Sequence, residues 1–303
     1  MTAVPQSAGS LAPSPAKITL LGLQADAFRH PLDRAATLAL KQLPGFDLVI
    51  RNLLAPTAEE YFYLDNIASG ILVGDRQLPH LHALLQEAAK ILDLDAPQLY
   101  IRQNPVPNAY TFAMRGKRPF MVIHTSLLDL LTPAEIQAVM AHELGHLKCD
   151  HGVYLTLANL LILAAEQIPA WGLSLAQNLQ EQLMEWVRCA EFTCDRAALL
   201  VSQDPRIVAS VLMKLTGGSP QLAAQLNLDA FIAQAKAYEA STATDLGQLM
   251  RQMQTAPRSH PLPVLRAWEI DRWGSSPEYH KLLQSAKSGY NSKAKSTGGW
   301  RNW

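Results

Sequence analysis

Cysteine is scarce in this chain of 303 residues, which has only Cys149, Cys189 and Cys194. Three thiols without paired spacing make no disulfide framework, and they suit a reducing compartment. They also lack the spacing of a cysteine-bound metal site and read as small buried residues. An excess of one charge is missing too, because 26 Lys and Arg balance 26 Asp and Glu. A neutral chain has no electrostatic footprint for a phosphate backbone, so nucleic acid is excluded as a partner. No basic region leads into an apolar core at the N-terminus, so no signal peptide is read there. Nor is there a long apolar run: the uncharged stretch Gly152 to Ala165 has 14 residues and ends at Glu166, Gln167 and Pro169. A bilayer span needs about 20, and roughly 10–14 fits a buried or interfacial helix. Residues 152–176 therefore read as a helical hairpin that packs over a site or lies on a lipid surface. No internal repeat is found.

What is present is His142-Glu143-Leu144-Gly145-His146. On a helix, residues four apart share a face, so both imidazoles can reach one metal ion. Glu143 can lean over the same point without ligating it. Two neutral nitrogen donors with a carboxylate beside a metal-bound water form the arrangement a zinc hydrolase needs. The local sequence supports the helix. Thr132-Pro133-Ala134-Glu135 reads as a capping box with Pro at the first helical position, and Ile136, Val139, Met140 and Leu144 recur at helical spacing.

A catalytic zinc site keeps three protein donors and leaves one position to water. Glu191 and Asp195 lie four apart on a second long helix, whose buried side carries Leu183, Met184, Val187 and Ala190. One reading has Glu191 binding the metal and Asp195 accepting the second N–H of a ligand His, which fixes its tautomer. The other reading is a solvated face, with Glu191 paired to Arg188 and Asp195 exposed. The residues alone leave the two even.

The order of these motifs resembles the gluzincin zinc metallopeptidases, and more narrowly the HtpX and CAAX-prenyl-protease family. Asn108-Ala109-Tyr110, the helix entry Leu127 to Glu135 and Ser259-His260-Pro261 follow that family's pattern, from about Pro97 to Arg266. The stretch Phe28-Arg29-His30-Pro31-Leu32-Asp33 through Pro44-Gly45 resembles its photosynthetic branch, from cyanobacteria and plastids. The resemblance implies His142, His146 and Glu191 as ligands of one Zn2+ per chain, Glu143 as general base and Asp195 as the carboxylate behind a ligand. It matches His260 to a His near the developing oxyanion, where an imidazole donor would stabilise a tetrahedral intermediate. His260 also reads as a loop His that caps a helix before Pro261. Arg266 matches a family Arg and reads equally as a structural ion-pair partner. Strands are expected at Gln98–Arg102, Tyr110–Met114 and Pro119–His124, with a turn at 115–118. In the family the strand at the Asn-Ala-aromatic motif is a sheet edge where a peptide adds, so Asn108 and Tyr110 are expected to bind substrate. Asn108 also reads as a turn residue after Pro105 and Pro107.

The expected fold is α+β and predominantly helical, a gluzincin-like catalytic domain with a small sheet beside two zinc-binding helices. With 49% hydrophobic residues the chain can bury a large core in one or two domains. Residues 1–16 read as disordered, 17–94 as an N-terminal helical region and 95–274 as the zinc metallopeptidase domain. Residues 275–303, with five Lys or Arg against one Glu, read as a flexible basic tail, solvated or touching a membrane surface. The expected activity is that of a zinc metalloendopeptidase on protein or peptide substrates. The alternative is a proteolytically silent, zinc-stabilised binding or chaperone-like protein, against which Glu143 argues because structural sites close all four positions. No acidic pocket motif for an N-terminal amine suggests an aminopeptidase. The expected location is intracellular, cytoplasmic or peripheral to a membrane, of thylakoid or plastid type if the photosynthetic resemblance holds.

Overall fold

The computed structural model describes residues 17–42, 64–65, 67–112, 119–152, 173–255, 258 and 260–287. The proposed hairpin, apart from 152 and 173–176, the turn at 115–118 and residues 1–16 lie outside the described residues. The fold is α+β and mainly helical, as expected. A 3-10 turn (Ala25–Ala27) and helix α1 (Pro31–Lys41) precede strand β1 (Ile71–Leu72), helix α2 (Pro79–Ile91), and strands β2 (Gln98–Arg102), β3 (Ala109–Phe112) and β4 (Phe120–His124). Helices α3 (Thr125–Leu130), α4 (Pro133–Lys148), α5 (Leu173–Ser202) and α6 (Pro205–Gly217) follow. Then come α7 (Leu228–Ser241), α8 (Asp245–Thr255), α9 (Pro263–Gly274) and α10 (Pro277–Lys287).

The sheet order is β1-β2-β4-β3, with β2 and β4 parallel and both outer pairs antiparallel. β4 is buried along its whole length, as a central strand covered on both faces should be. Met121 and Ile123 point into the main core, while Phe120 and Val122 join Tyr100, Tyr110 and Phe112 on the opposite face. β3 is the edge.

α4 begins with the complete capping box. Thr132 Oγ1 accepts from Glu135 N, and Glu135 Oε2 accepts from Thr132 N at 2.7 Å. The helix is not simply amphipathic. Its polar residues Glu135, Gln137 and Lys148 are buried as well as the apolar ones, because α2, α5, α6 and β3 surround it. Each buried polar end finds a partner: Gln137 donates to the Leu84 carbonyl, Lys148 to the Asp93 carbonyl, and Glu135 accepts from Lys214.

Part of the expected flexible tail is ordered as helix. Residues 277–287 form α10 rather than flexible chain. Ser276 Oγ accepts from Tyr279 N, Pro277 occupies the first helical position, and Tyr279, Leu282, Leu283 and Ala286 pack onto the core. Charge counting overlooked this start signal. The N-terminal region, expected to be mainly helical, also contributes β1 to the sheet.

α4 and α5 cross at Gly145. A Cβ there would sit 2.9 Å from Ala197 Cβ and 3.0 Å from the Cys194 backbone, so only glycine allows this approach. Gly145→Ala is expected to cost about 1–3 kcal/mol of unfolding free energy by overpacking. Gly217→Ala, with open space at its Cβ, should stay within about 0.5 kcal/mol. Denaturant titration of the two variants checks this, and equal stabilities would show that the helices are not in tight contact.

Candidate active site

The close crossing sets α4 against α5 so that both His side chains meet one carboxylate. Glu191 Oε2 lies 3.4 Å from His142 Nε2, and Glu191 Oε1 lies 3.5 Å from His146 Nε2. These distances are long for hydrogen bonds. Glu191 is buried, and its Oε2 has no hydrogen-bond partner among the described residues. Donors bound at about 2.0–2.1 Å to one tetrahedral zinc stand roughly 3.3 Å apart, which matches these separations. A buried carboxylate that turns one oxygen to each of two imidazole nitrogens therefore has the chemistry to hold a zinc ion with them.

Behind this trio, Asp195 Oδ1 faces His142 Nδ1 at 3.1 Å. Arg266, on α9, grips both Asp195 oxygens, Nε to Oδ2 at 2.7 Å and Nη2 to Oδ1 at 2.6 Å. Its Nη1 lies 3.3 Å from Glu191 Oε2. Asp195 thus holds a hydrogen on His142 Nδ1 and leaves Nε2 as the donor to a metal. The solvated-face alternative does not fit. Glu191 and Asp195 are 3% and 2% exposed, and Arg188 donates to the Arg258 carbonyl instead.

The charges here depend on one another. Burial opposes ionisation of Glu191, but His142 and Arg266 outweigh it and hold the carboxyl well below the usual range. Asp195 is lowered in the same way, mainly by Arg266. Burial would also depress His142, yet Glu191 and Asp195 push it up to about 10. The carboxylates demand positive charge at this point. A proton on His142 supplies it here, and a divalent cation beside a neutral imidazole would supply it equally.

Cys194 Sγ lies within 4.8 Å of donor atoms of both His residues, which gives a rival third donor. Burial pushes its thiol well above the ordinary value. Its sulfur contacts His151 Nδ1 at 3.6 Å, and that nitrogen faces His146 Nδ1 rather than Nε2. Glu191 instead faces the Nε2 atoms of both His residues, which makes it the better-placed donor. All three cysteines are free and buried.

Glu143 is buried beside the His pair, and its Oε2 accepts from Thr111 Oγ1 at 2.9 Å. Sequence reasoning missed Thr111, although strand alternation could have found it, since it is two residues from Ala109 and faces α4. The same alternation corrects Tyr110. Tyr110 pairs with Val122 and packs on the far face of the sheet, where Arg102 reaches its hydroxyl at 3.5 Å. It does not line the site. Asn108 does, and its carbonyl also accepts from His124 N at 3.0 Å. His260 lies at the open side of the cleft, 62% exposed, with Nε2 3.7 Å from Glu191 Oε2. The cleft, of about 130 Å³, has an apolar wall of Leu127, Val139, Val208, Val211, Leu212 and Leu215.

The family model described as Peptidase family M48 matches residues 75–274. The plastoglobule-localized metallopeptidase 48, chloroplastic, of Arabidopsis thaliana is 57% identical over 87% of this chain and 77% of its own length. An HtpX protease homologue of Methanosarcina mazei is 29% identical over 53% of this chain and 64% of its own. One from Acaryochloris marina is 28% identical over 54% and 68%. The chain therefore spans about two thirds of the length of these HtpX relatives. No solved structure matches.

Arg266→Leu should leave Asp195 and Glu191 buried without their cation, and losing one partner of a buried pair costs about 3–5 kcal/mol. Both carboxyls have folded pKa values below their unfolded ones. Their stabilisation is therefore full above the unfolded value of about 4 and is lost as pH falls through the folded value. The variant's stability deficit should accordingly be largest near neutral pH and shrink on acidification below about pH 4. Denaturant melts at the two pH values test this, and a deficit independent of pH would rule out charge compensation as its cause.

Proposed function

The chain belongs to peptidase family M48, and from that premise we propose that it is a zinc-dependent endopeptidase. His142, His146 and Glu191 would hold one zinc ion per chain. The observation that carries this reading is the buried Glu191 oxygen, without a hydrogen bond among the described residues and set 3.4 Å from an imidazole Nε2. When bound, zinc supplies Lewis acidity, lowering the pKa of a water and polarising a carbonyl.

The chain's own residues do the rest. Glu143 takes the proton of the attacking water and returns it to the leaving amine. Thr111 donates to one Glu143 oxygen and so aims the other at the cleft. Asp195, clamped by Arg266, keeps the His142 hydrogen on Nδ1. His260, at the cleft mouth, donates to the developing oxyanion.

The edge strand supplies the platform. The Asn108 carbonyl bonds to His124 N, so Asn108 and His124 form a hydrogen-bonded pair. Ala109 opposite Ile123 is then a non-bonded pair, and the N–H and C=O groups of Ala109 and Thr111 point outward. Their side chains face α4. An extended peptide pairing with this edge would lie across the zinc site, with an apolar side chain against the wall formed by Val139, Val208 and Leu212. Cleavage within a chain fits such a groove. Among the described residues of its lining the acidic groups are Glu143, Glu191 and Asp195, each with a proposed role at the metal. No described feature favours the proteolytically silent alternative.

We place the start of the catalytic domain near residue 75, earlier than 95, because α2 packs on α4 through Gln137. The named location of the Arabidopsis relative supports a peripheral position on a plastid-type lipid surface. Among the described residues no helix is long and apolar enough to cross a membrane.

Ala at His142, His146 or Glu191 should lower zinc occupancy and activity together. Glu143→Gln should keep zinc and fold while turnover falls by at least about 10²–10⁴-fold, the usual effect of a lost general base. Metal analysis beside a casein-cleavage assay reads both, and a Glu143→Gln protein as active as wild type would contradict the mechanism.

A further inference from the structure

His142 has a carboxylate directly behind it, but His146 does not. Behind His146 stands His151, with the two Nδ1 atoms 3.3 Å apart. His151 follows the end of α4 by way of Asp150, whose left-handed backbone (φ 58°) turns the chain back onto the helix. The far nitrogen, His151 Nε2, lies 3.0 Å from Asp33 Oδ2 on α1. Both side chains are fully buried. Asp33 also accepts from Thr193 Oγ1 at 2.7 Å, from Thr37 Oγ1 at 3.0 Å and from Arg29 Nη1 at 3.2 Å.

With His146 Nε2 given to a metal, as proposed above, one arrangement of hydrogens satisfies this chain of contacts. The Thr193 hydroxyl already accepts from His30 N, and that of Thr37 from Trp186 Nε1, so each is free to give its own hydrogen to Asp33. Asp33 is therefore an acceptor at every contact, and His151 Nε2 must carry a hydrogen toward it. Arg29 Nη1, 3.4 Å from the same nitrogen, is a donor and gives its hydrogen to the carboxylate. A neutral His151 with its hydrogen on Nε2 has an acceptor at Nδ1, and His146 Nδ1–H fills it. Cys194 Sγ, 3.6 Å from that Nδ1, is a weak second donor and does not reverse the direction. His146 Nε2 is then left without a hydrogen, turned toward Glu191.

We propose that Arg29, Asp33 and His151 form a positioning relay that fixes His146 in the tautomer able to bind the metal. Arg29 and Asp33 lie before residue 75, outside the region matched by the family model, so an N-terminal segment completes the metal site. The stretch Phe28-Arg29-His30-Pro31-Leu32-Asp33 thereby acquires a chemical role. The relay rests on His146 being a ligand, as proposed above.

The test uses the full chain and zinc affinity, measured by competition with a chromophoric chelator, together with the visible spectrum of the cobalt-loaded protein. Asp33→Asn keeps the size of the side chain but sets an amide NH2 against donors. His151→Phe fills the space and offers no acceptor, whereas His151→Gln offers both an acceptor and a donor. Asp33→Asn and His151→Phe should weaken zinc binding by about 10–100-fold and shift the cobalt bands. His151→Gln should stay near wild type. A residue that only stabilises the fold would lower the melting temperature of the metal-free protein and leave zinc affinity and the cobalt bands unchanged, which would overturn the relay. If Asp33→Asn does not fold, the His151 pair decides, because Phe binding zinc as tightly as Gln also overturns it. Loss of zinc in His146→Ala alongside unchanged affinity in the relay variants would reject the relay and leave His146 as a ligand. Unchanged affinity in His146→Ala itself would reject the ligand assignment on which the relay rests.

Discussion

Two carboxylates buried one helical turn apart on α5, Glu191 and Asp195, are the constraint on which the rest of the site depends. Neither can be ionised in a protein interior without compensating positive charge nearby. Arg266 compensates Asp195 by a two-pronged grip and leaves Glu191 only partly served. The remaining demand falls between Glu191 and the two Nε2 atoms, where a divalent cation would answer it. The proposed metal site is thus a place where the protein's own electrostatics is incomplete.

Geometry meets that demand only because α4 and α5 come very close. Gly145 lies between the two His residues, and the space a side chain would take is filled by Ala197 and Cys194. Its position inside the His-Glu-x-x-His motif is therefore a packing requirement. Each His is then held from behind in its own way, His142 by Asp195 and Arg266, His146 through His151 by Asp33 and Arg29. Each arm ends in an arginine. The arms come from opposite ends of the chain, α9 and α1, so the site draws on helices far apart in sequence.

Much of this was legible in the residues. The capping box at Thr132, the helical spacing of the two His and the three strands all follow from local rules, and the structure repeats them closely. Glu191 was ambiguous because a carboxylate and an arginine three residues apart look the same on a wet surface as beside a metal, and only burial separates the two cases. Tyr110 was misplaced through attention to the aromatic residue rather than to the alternation that puts Thr111 on the inner face. α10 was hidden by a count of charges, although Ser276 and Pro277 announce a helix start. The partnership of Asp33 with His151 could not be read at all, since the two are separated by 118 positions and nothing local predicts that they meet.

In the proposed site the metal donors are two imidazoles and the Glu191 carboxylate, with no sulfur among them. Zinc-edge X-ray absorption of the loaded protein tests this most directly, because zinc–sulfur and zinc–nitrogen or oxygen distances differ by about 0.2–0.3 Å. The account predicts a shell of nitrogen and oxygen at about 2.0–2.2 Å that includes two imidazole signatures. A sulfur shell at about 2.3 Å would contradict it, showing that Cys194 binds the metal and that the charge on Glu191 serves another purpose.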